Sequence, residues 1–335
     1  MATDSSSAVV PETIGQWLRR SAPLRYTVVL AFLVVFAFLS VQAPGFLTVS
    51  NFVGILVNNV TILAIVALGM TLVLSTGGID LSVGTGIDLS SLVFISLVSA
   101  HQSLPAAIGG GLLGALAIGG FNAFLIGVLR IAPFLATLGS LFIGESVQQL
   151  ATNGGQPIYL ITGTLPAAFT YIGHGGLLGI PFPLCLAIAL VIGYYLLTER
   201  TRFGRSLVAL GANPSVAWYS GTRVRSTSAV VYILSAVTCG VAGIVLSATI
   251  KAYVPMSGNA YLLDAIGATF IGTTLHAEGR PSVIGTLLGV FLLSIVTNGL
   301  LLIGWNFYWQ QVGTGGLIFF VLAVSFLGRR LRGLA

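Results

Sequence analysis

Thr76-Gly77-Gly78-Ile79-Asp80-Leu81-Ser82-Val83-Gly84-Thr85-Gly86-Ile87-Asp88 is polar, rich in glycine and carries two carboxylates. It ends a run, residues 26–79, that contains no Asp, Glu, Lys or Arg. An acid at the centre of a bilayer helix costs on the order of 2.5–3.5 kcal/mol on insertion scales. A glycine-broken backbone at that depth must also find hydrogen-bond partners, because lipid supplies none. Such a segment is tolerated where it faces protein or a wet cavity. This stretch therefore points to a membrane protein with a solute path.

The rest of the chain agrees. Of 335 residues, 7% are charged and 56% hydrophobic, against roughly 25% charged in soluble domains. Charge-free windows recur at 89–129, 146–198, 226–250 and 281–328, each long enough for one or more spans of about 20 residues. Breaks at Pro44-Gly45, Gly77-Gly78, Pro105, Pro133, Pro181, Pro255 and Pro281 divide them into ten expected helices. These fall near 26–42, 52–75, 83–100, 105–129, 132–151, 177–198, 227–250, 263–275, 283–304 and 310–328. The eighth is short enough for a re-entrant or half-length helix. The fold class is all-α, a polytopic membrane protein. Its expected parts are an N-terminal segment 1–25, a membrane domain 26–328 and a basic tail 329–335. Residues 11–20 have the pattern of a short interfacial helix.

Ten spans place both termini on one side. Every basic residue except Lys251 then falls on that side, including the five arginines of 199–226. The positive-inside rule makes that side the cytoplasm. The net charge of +6 thus reflects membrane orientation and gives no reason to expect nucleic acid. Cys185 and Cys239 lie inside apolar runs and read as small buried residues.

Several chemistries are missing. The single lysine, Lys251, lies in Ala248-Thr249-Ile250-Lys251-Ala252, so the chain lacks the Gly-Lys-Ser/Thr of a P-loop. His101, His174 and His276 are scattered, and no zinc-protease pattern exists. No catalytic residue, metal site or cofactor is expected. Asp80 and Asp88 are the acid pair an intramembrane enzyme would use, but eight residues apart across a glycine-rich break they have no fixed geometry.

Asp80 and Ser82 stand where the third helix starts, so either can cap it. Alternatively, Gly77, Gly78, Asp80 and Ser82 line a solute path, as broken helices do in transporters. Asn58, Asn59, Asn122, Glu145, Gln148, Gln149, Asp264, Thr273 and Asn298 also sit in or beside spans. Polar groups there usually face the bundle interior. Hydroxyls and amides suit a neutral, hydroxyl-rich solute better than an ion. In the cytoplasmic segment, Gly211 permits a turn and Asn213-Pro214 reads as an N-cap with proline at the first helical position. Ser215, Val216, Ala217, Trp218 and Tyr219 continue a short helix, closed by Ser220-Gly221. Its apolar groups want a protein partner or the lipid surface.

The motif at 76–84 resembles the signature of permease subunits of ribose/xylose/arabinose-type ABC sugar importers, within the branched-chain amino acid/sugar permease superfamily. Ile131-Ala132-Pro133-Phe134-Leu135-Ala136-Thr137-Leu138-Gly139 resembles it too, as do Leu263-Asp264-Ala265-Ile266, Ile271-Gly272-Thr273-Thr274-Leu275 and Gly285-Thr286-Leu287-Leu288-Gly289. The likeness covers roughly 50–328. It implies an architecture similar to vitamin B12-type importers and a location in the bacterial inner membrane. It implies three partners besides lipid: a cytoplasmic ABC ATPase, a periplasmic sugar-binding protein and a second permease subunit, identical or not. The coupling role would fall on Gly211, Ala212, Asn213, Pro214, Ser215, Val216, Ala217, Ser220 and Gly221. ATP-driven import of a monosaccharide is the function implied. An ion-coupled symporter acting alone, using Asp80 or Glu145, is the alternative.

Two departures from the family pattern stand out. Asp88 interrupts small apolar residues. His276, Glu278 and Arg280 replace glycines after Gly272, which puts close helix packing there in doubt and offers a Glu278–Arg280 ion pair instead.

Overall fold

The computed structural model describes residues 29–160, 165–276 and 278–331, with side chains to residue 323. The expected interfacial helix at 11–20 and the end of the basic tail lie outside the described residues.

All ten expected segments are helical. The first is α1 (Val29–Gln42). Next, α2 (Val49–Gly54) runs through one π-helical turn (Ile55–Val60) into α3 (Thr61–Ser75). Then come α4 (Val83–Ser99), α5 (Leu104–Gly127) and α6 (Pro133–Ala151), with a short α7 (Ala167–His174) before α8 (Phe182–Arg200). Two shorter helices follow, α9 (Arg202–Ala212) and α10 (Pro214–Tyr219). The chain closes with α11 (Val224–Ile250), α12 (Asn259–Leu275), α13 (Val283–Leu302) and α14 (Phe307–Leu331). Five stretches are long and apolar enough to cross a membrane by themselves: 49–75, 104–127, 182–200, 224–250 and 283–302. Two shorter apolar helices, α1 and α4, accompany them. The protein is an all-α polytopic membrane protein.

α11 is the centre of the bundle, packed against α3, α4, α5 and α7. Small residues let the backbones close up, as they do where lipid gives no hydrophobic drive to pack helices. A methyl group added at Gly243 would sit 2.3 Å from the Ile87 carbonyl oxygen. Around this centre the surface is apolar. Leu30, Val34 and Phe38 of α1, Phe142 and Ile143 of α6, and Phe319 and Phe320 of α14 are exposed. An apolar shell of this extent belongs in lipid or against other subunits.

Strand structure is minimal. β1 (Ile158–Tyr159) pairs antiparallel with β4 (Ala252–Tyr253), in the register Ile158 to Tyr253. Between them β2 (Gly176–Leu177) and β3 (Ile180–Pro181) make a hairpin. That hairpin delays α8 to residue 182, five residues later than the apolar run suggested. Gly179, at φ +81°, makes the turn.

The close helix packing that His276, Glu278 and Arg280 in place of glycines put in doubt is intact. A methyl group at Gly272 would lie 2.3 Å from the Gly285 carbonyl carbon, so α12 and α13 touch backbone to backbone. The expected ion pair forms as well, Arg280 Nε donating to Glu278 at 2.6 Å, and Glu199 of α8 joins it at 3.4 Å. Burial opposes the charge of the Arg280 guanidinium. Glu278 and Glu199 outweigh that and raise its pKa above the ordinary arginine value.

Candidate functional site: a polar junction and the element beneath it

The 76–88 segment enters the bundle with α3 behind it. Thr76 Oγ1 donates to the Val73 carbonyl at 2.7 Å, and Gly77 turns the chain at φ +78°. Asp80 is then buried, 4% exposed. One of its oxygens accepts from Ser82 N at 2.9 Å and Ser82 Oγ at 2.6 Å; the other accepts from Ser235 Oγ of α11 at 3.2 Å. Asn122 Nδ2 of α5 donates to Ser82 Oγ at 2.7 Å, and Ser140 Oγ of α6 donates to Asn122 Oδ1. One chain of hydrogen bonds thus ties α5, α6 and α11 to the glycine-rich turn.

This arrangement departs from the capping reading. Ser82 is the residue before α4, yet no side chain caps the helix. Asp80 instead forms a local turn with Ser82 and reaches across to α11. Ser235 stands about twelve residues into the 27-residue α11, so the turn lies beside the middle of a span.

A second cluster lies one to two helical turns further along α4. The loop 251–258 folds back along α11, and Gly258 meets Gly84 so closely that a methyl on Gly258 would lie 2.2 Å from the Gly84 carbonyl oxygen. The N-termini of α4 and α12 therefore meet inside the bundle. Asp88 Oδ1 accepts from Gly258 N at 2.8 Å and Ser257 Oγ at 3.1 Å. Asn259 Nδ2 donates to Glu145 Oε1 at 2.8 Å. Gln148 Oε1 accepts from Met256 N at 3.0 Å and from the Tyr253 hydroxyl at 3.1 Å. Asp80 and Asp88 thus belong to separate networks, which leaves no acid dyad.

The other expected residues are dispersed. Asn58 is exposed and Asn59 half-buried in the π-helical turn. Asn298 accepts from Asn51 Nδ2 at 3.0 Å and pins α2 to α13. Asp264 is half-buried on α12, and Thr273 Oγ1 donates to its own helix at the Thr269 carbonyl. Gly78 packs under Tyr232. The structure brings together Asp80, Ser82 and Asn122 in one cluster and Glu145 and Gln148 in the other. Ser140, Ser235, Ser257 and Asn259 escaped sequence reading. Serines in apolar helices give no periodic signal; Asn259, directly before the apolar run of α12, was the one with a legible position.

Beneath the first cluster sits α9. Gly211 is its penultimate residue rather than a turn, and a methyl there would lie 2.2 Å from the Ser75 carbonyl oxygen. The Gly211 carbonyl in turn approaches Gly77. Asn213 caps α10 as expected, its Oδ1 accepting from Ser215 N at 3.0 Å and Val216 N at 3.2 Å. Ala217 is buried, whereas Val216, Trp218 and Tyr219 are exposed, Tyr219 by 82%. Gly221 ends the element at φ +81°.

A fold of broken membrane helices around a buried polar junction is the build of a transport permease. The chain belongs to the family described as branched-chain amino acid transport system / permease component, whose model matches residues 52–322. It is 34% identical over 299 residues to the ribose import permease protein RbsC of Escherichia coli K12, covering 88% of this chain and 92% of that one. It is 31% identical to the D-allose transport system permease protein AlsC of the same organism, covering 88% of each chain. It is 33% identical to the galactofuranose transporter permease protein YtfT, also of that strain, over 81% of this chain and 78% of the relative.

Proposed function

We propose that this chain is the membrane subunit through which a monosaccharide is imported across the bacterial inner membrane, driven by ATP hydrolysis on a separate cytoplasmic subunit. The relatives named for ribose, D-allose and galactofuranose support the solute class. A periplasmic binding protein delivers the sugar and a second permease subunit completes the path. Both termini lie in the cytoplasm. Residues 199–226 form the coupling segment, and no covalent chemistry occurs in this chain.

The observation that carries the reading is the seat of Gly211 on the Ser75 carbonyl. The exposed apolar groups of α10 offer the ATPase a docking surface. The other end of the same segment presses on the turn that carries Asp80. Movement of α9 and α10 would thus reach Gly77, Gly78, Asp80 and Ser82 without an intervening element. Asn122, Glu145 and Gln148 lie on the helices that this movement would shift, while Asn58, Asn59, Asp264 and Thr273 stand as further positions along the path.

A Gly211→Leu variant tests this. It should insert normally, as judged by its yield in the membrane fraction, yet lose most sugar uptake in cells that also make the partner subunits. Uptake equal to that of the parent protein would refute the coupling assignment.

A further inference from the structure

One buried polar group at the glycine-rich turn has no task in this arrangement, the hydroxyl of Tyr232. Tyr232 stands on α11 three residues before Ser235, so the two side chains share a face. It is 1% exposed and packs in an apolar cluster with Leu68, Leu72, Val73 and Ala123. Its hydroxyl oxygen has no hydrogen-bond partner among the described residues. A buried tyrosine hydroxyl normally finds one. Phenylalanine would fill the same apolar space without the cost of an unmet donor, so it is the oxygen that needs a reason.

Its surroundings narrow the choice of partner. A methyl group added at Gly78 would lie 2.7 Å from the Tyr232 hydroxyl, 3.4 Å from Val73 Cγ1 and 3.5 Å from Pro133 Cβ. The hydroxyl therefore lies over the backbone of the turn, in a space too tight for a side chain and walled by apolar groups. Asp80, two residues further on, is close enough to act on it electrostatically. The Asp80 carboxylate is held unevenly. Oδ1 takes two bonds from Ser82, at 2.6 and 2.9 Å, whereas Oδ2 takes one from Ser235, at 3.2 Å. That is long for a hydroxyl on a carboxylate. A carboxylate oxygen can accept two hydrogen bonds, so Oδ2 has capacity to spare beside α11.

The same turn is the part of the bundle that α9 presses on. Gly211 seats on the Ser75 carbonyl, and its own carbonyl approaches Gly77. Glycine at 78 keeps any side chain out of the space beneath the hydroxyl, so the turn can slide there without a collision. Such a slide along α11 changes which hydroxyl Asp80 Oδ2 meets, that of Ser235 or that of Tyr232, one helical turn apart.

We propose that Tyr232 is a positioning residue for transport: its hydroxyl, idle in the arrangement seen here, donates to Asp80 Oδ2 in a second arrangement of the turn. Ser235 and Tyr232 are then alternative donors from one helix, one for each state. The unmet hydroxyl raises the free energy of the present state and brings the two states closer together, as stored strain does at switch regions. This rests on the import reading and deepens it, by naming the contact that changes when α9 moves.

Tyr232→Phe removes the oxygen and keeps the ring. In the full chain, purified in lipid nanodiscs, it should raise the melting temperature by about 2 °C or more, because the folded state loses an unmet donor. Ser235→Ala, which removes a bond made in this arrangement, should lower it. In cells that also make the partner subunits, Tyr232→Phe should cut sugar uptake about fivefold or more at equal membrane yield, the factor that one bond makes in an equilibrium. A gain in melting temperature joined to a loss of transport is not what a residue that only packs would give. A melting temperature that stays level or falls in Tyr232→Phe would show the hydroxyl already satisfied and overturn the proposal. Uptake equal to that of the parent protein would overturn the alternative bond. A parent protein that takes up no sugar would fail the import reading instead, and the melting comparison does not depend on that result.

Discussion

Asn122 is the residue on which the first cluster turns. Its amide gives a proton to Ser82 Oγ and takes one from Ser140 Oγ, so one side chain serves two elements that otherwise meet through apolar contact. Replacing it with Ala removes one bond from each serine, although Ser82 Oγ keeps Asp80 and Ser140 Oγ keeps the Ala136 carbonyl. The expected cost is about 1–3 kcal/mol, measured by denaturant unfolding in detergent. A double-mutant cycle with Ser140→Ala should return a smaller coupling, near the ~0.6 kcal/mol typical of hydrogen bonds between membrane helices; a coupling of zero would mean the bond contributes nothing. Asn122, Glu145 and Gln148 were legible because amides and acids are rare in apolar runs and must face protein. Ser140 and Ser235 were not, since a serine can satisfy its hydroxyl on its own helix and so appears anywhere. Asp80 was legible as a position but not as a role. Its cap reading rested on sequence distance to α4; besides the local bonds from Ser82, its other oxygen accepts from Ser235, 155 residues away.

The α9–α10 pair shows the same divide at the level of an element. Asn213 before Pro214 has the pattern of a helix start, and the cap forms with both amides it can reach. The α9 helix was hidden because Gly211 reads as a turn. Gly211 and Gly204 are instead places where a side chain would collide, Gly204 with the Thr198 carbonyl of α8 and Gly211 with that of Ser75. The glycines of α9 report tight contact with two spans, not a turn. The cap gives a clean way to loosen α10 alone. Asn213→Ala removes the acceptor for Ser215 N and Val216 N, at about 0.5–2 kcal/mol for such caps, whereas Asn213→Asp keeps an acceptor. If α10 docks the ATPase as a formed helix, the alanine variant should retain membrane insertion but recover less ATPase on co-purification, and the aspartate variant should recover the parent amount. Equal recovery by all three would separate docking from α10.

Across the whole molecule, charge and contact agree on two ends. Gly211 sits on the last residues of α3, and Glu199 at the end of α8 reaches Arg280 after α12. The C-termini of α3, α8 and α12 therefore share one end with α9 and α10. At the opposite end β1 pairs with β4 just after α11, and the Lys251 carbonyl accepts from Leu160 N at 3.0 Å. Long-range pairings of this kind are invisible to local sequence patterns, yet the distribution of basic residues had already divided the chain the same way. The arginines of 199–226 and Arg280 gather at the α10 end, with Lys251 at the other. Membrane orientation follows basic residues near span ends, so the α10 end should face the cytoplasm. The free cysteines, Cys185 and Cys239, can be changed to Ser to give a background without thiols. In that background Leu178→Cys, at a hairpin tip 96% exposed, should react with a membrane-impermeant maleimide in intact spheroplasts. Trp218→Cys, on the exposed face of α10, should react only after the membrane is opened. Labelling in the reverse pattern would turn the whole assembly over and move the proposed ATPase surface outside the cell. Labelling of both sites from one side would mean that the number of crossings between residues 178 and 218 is even, against the single passage of α8.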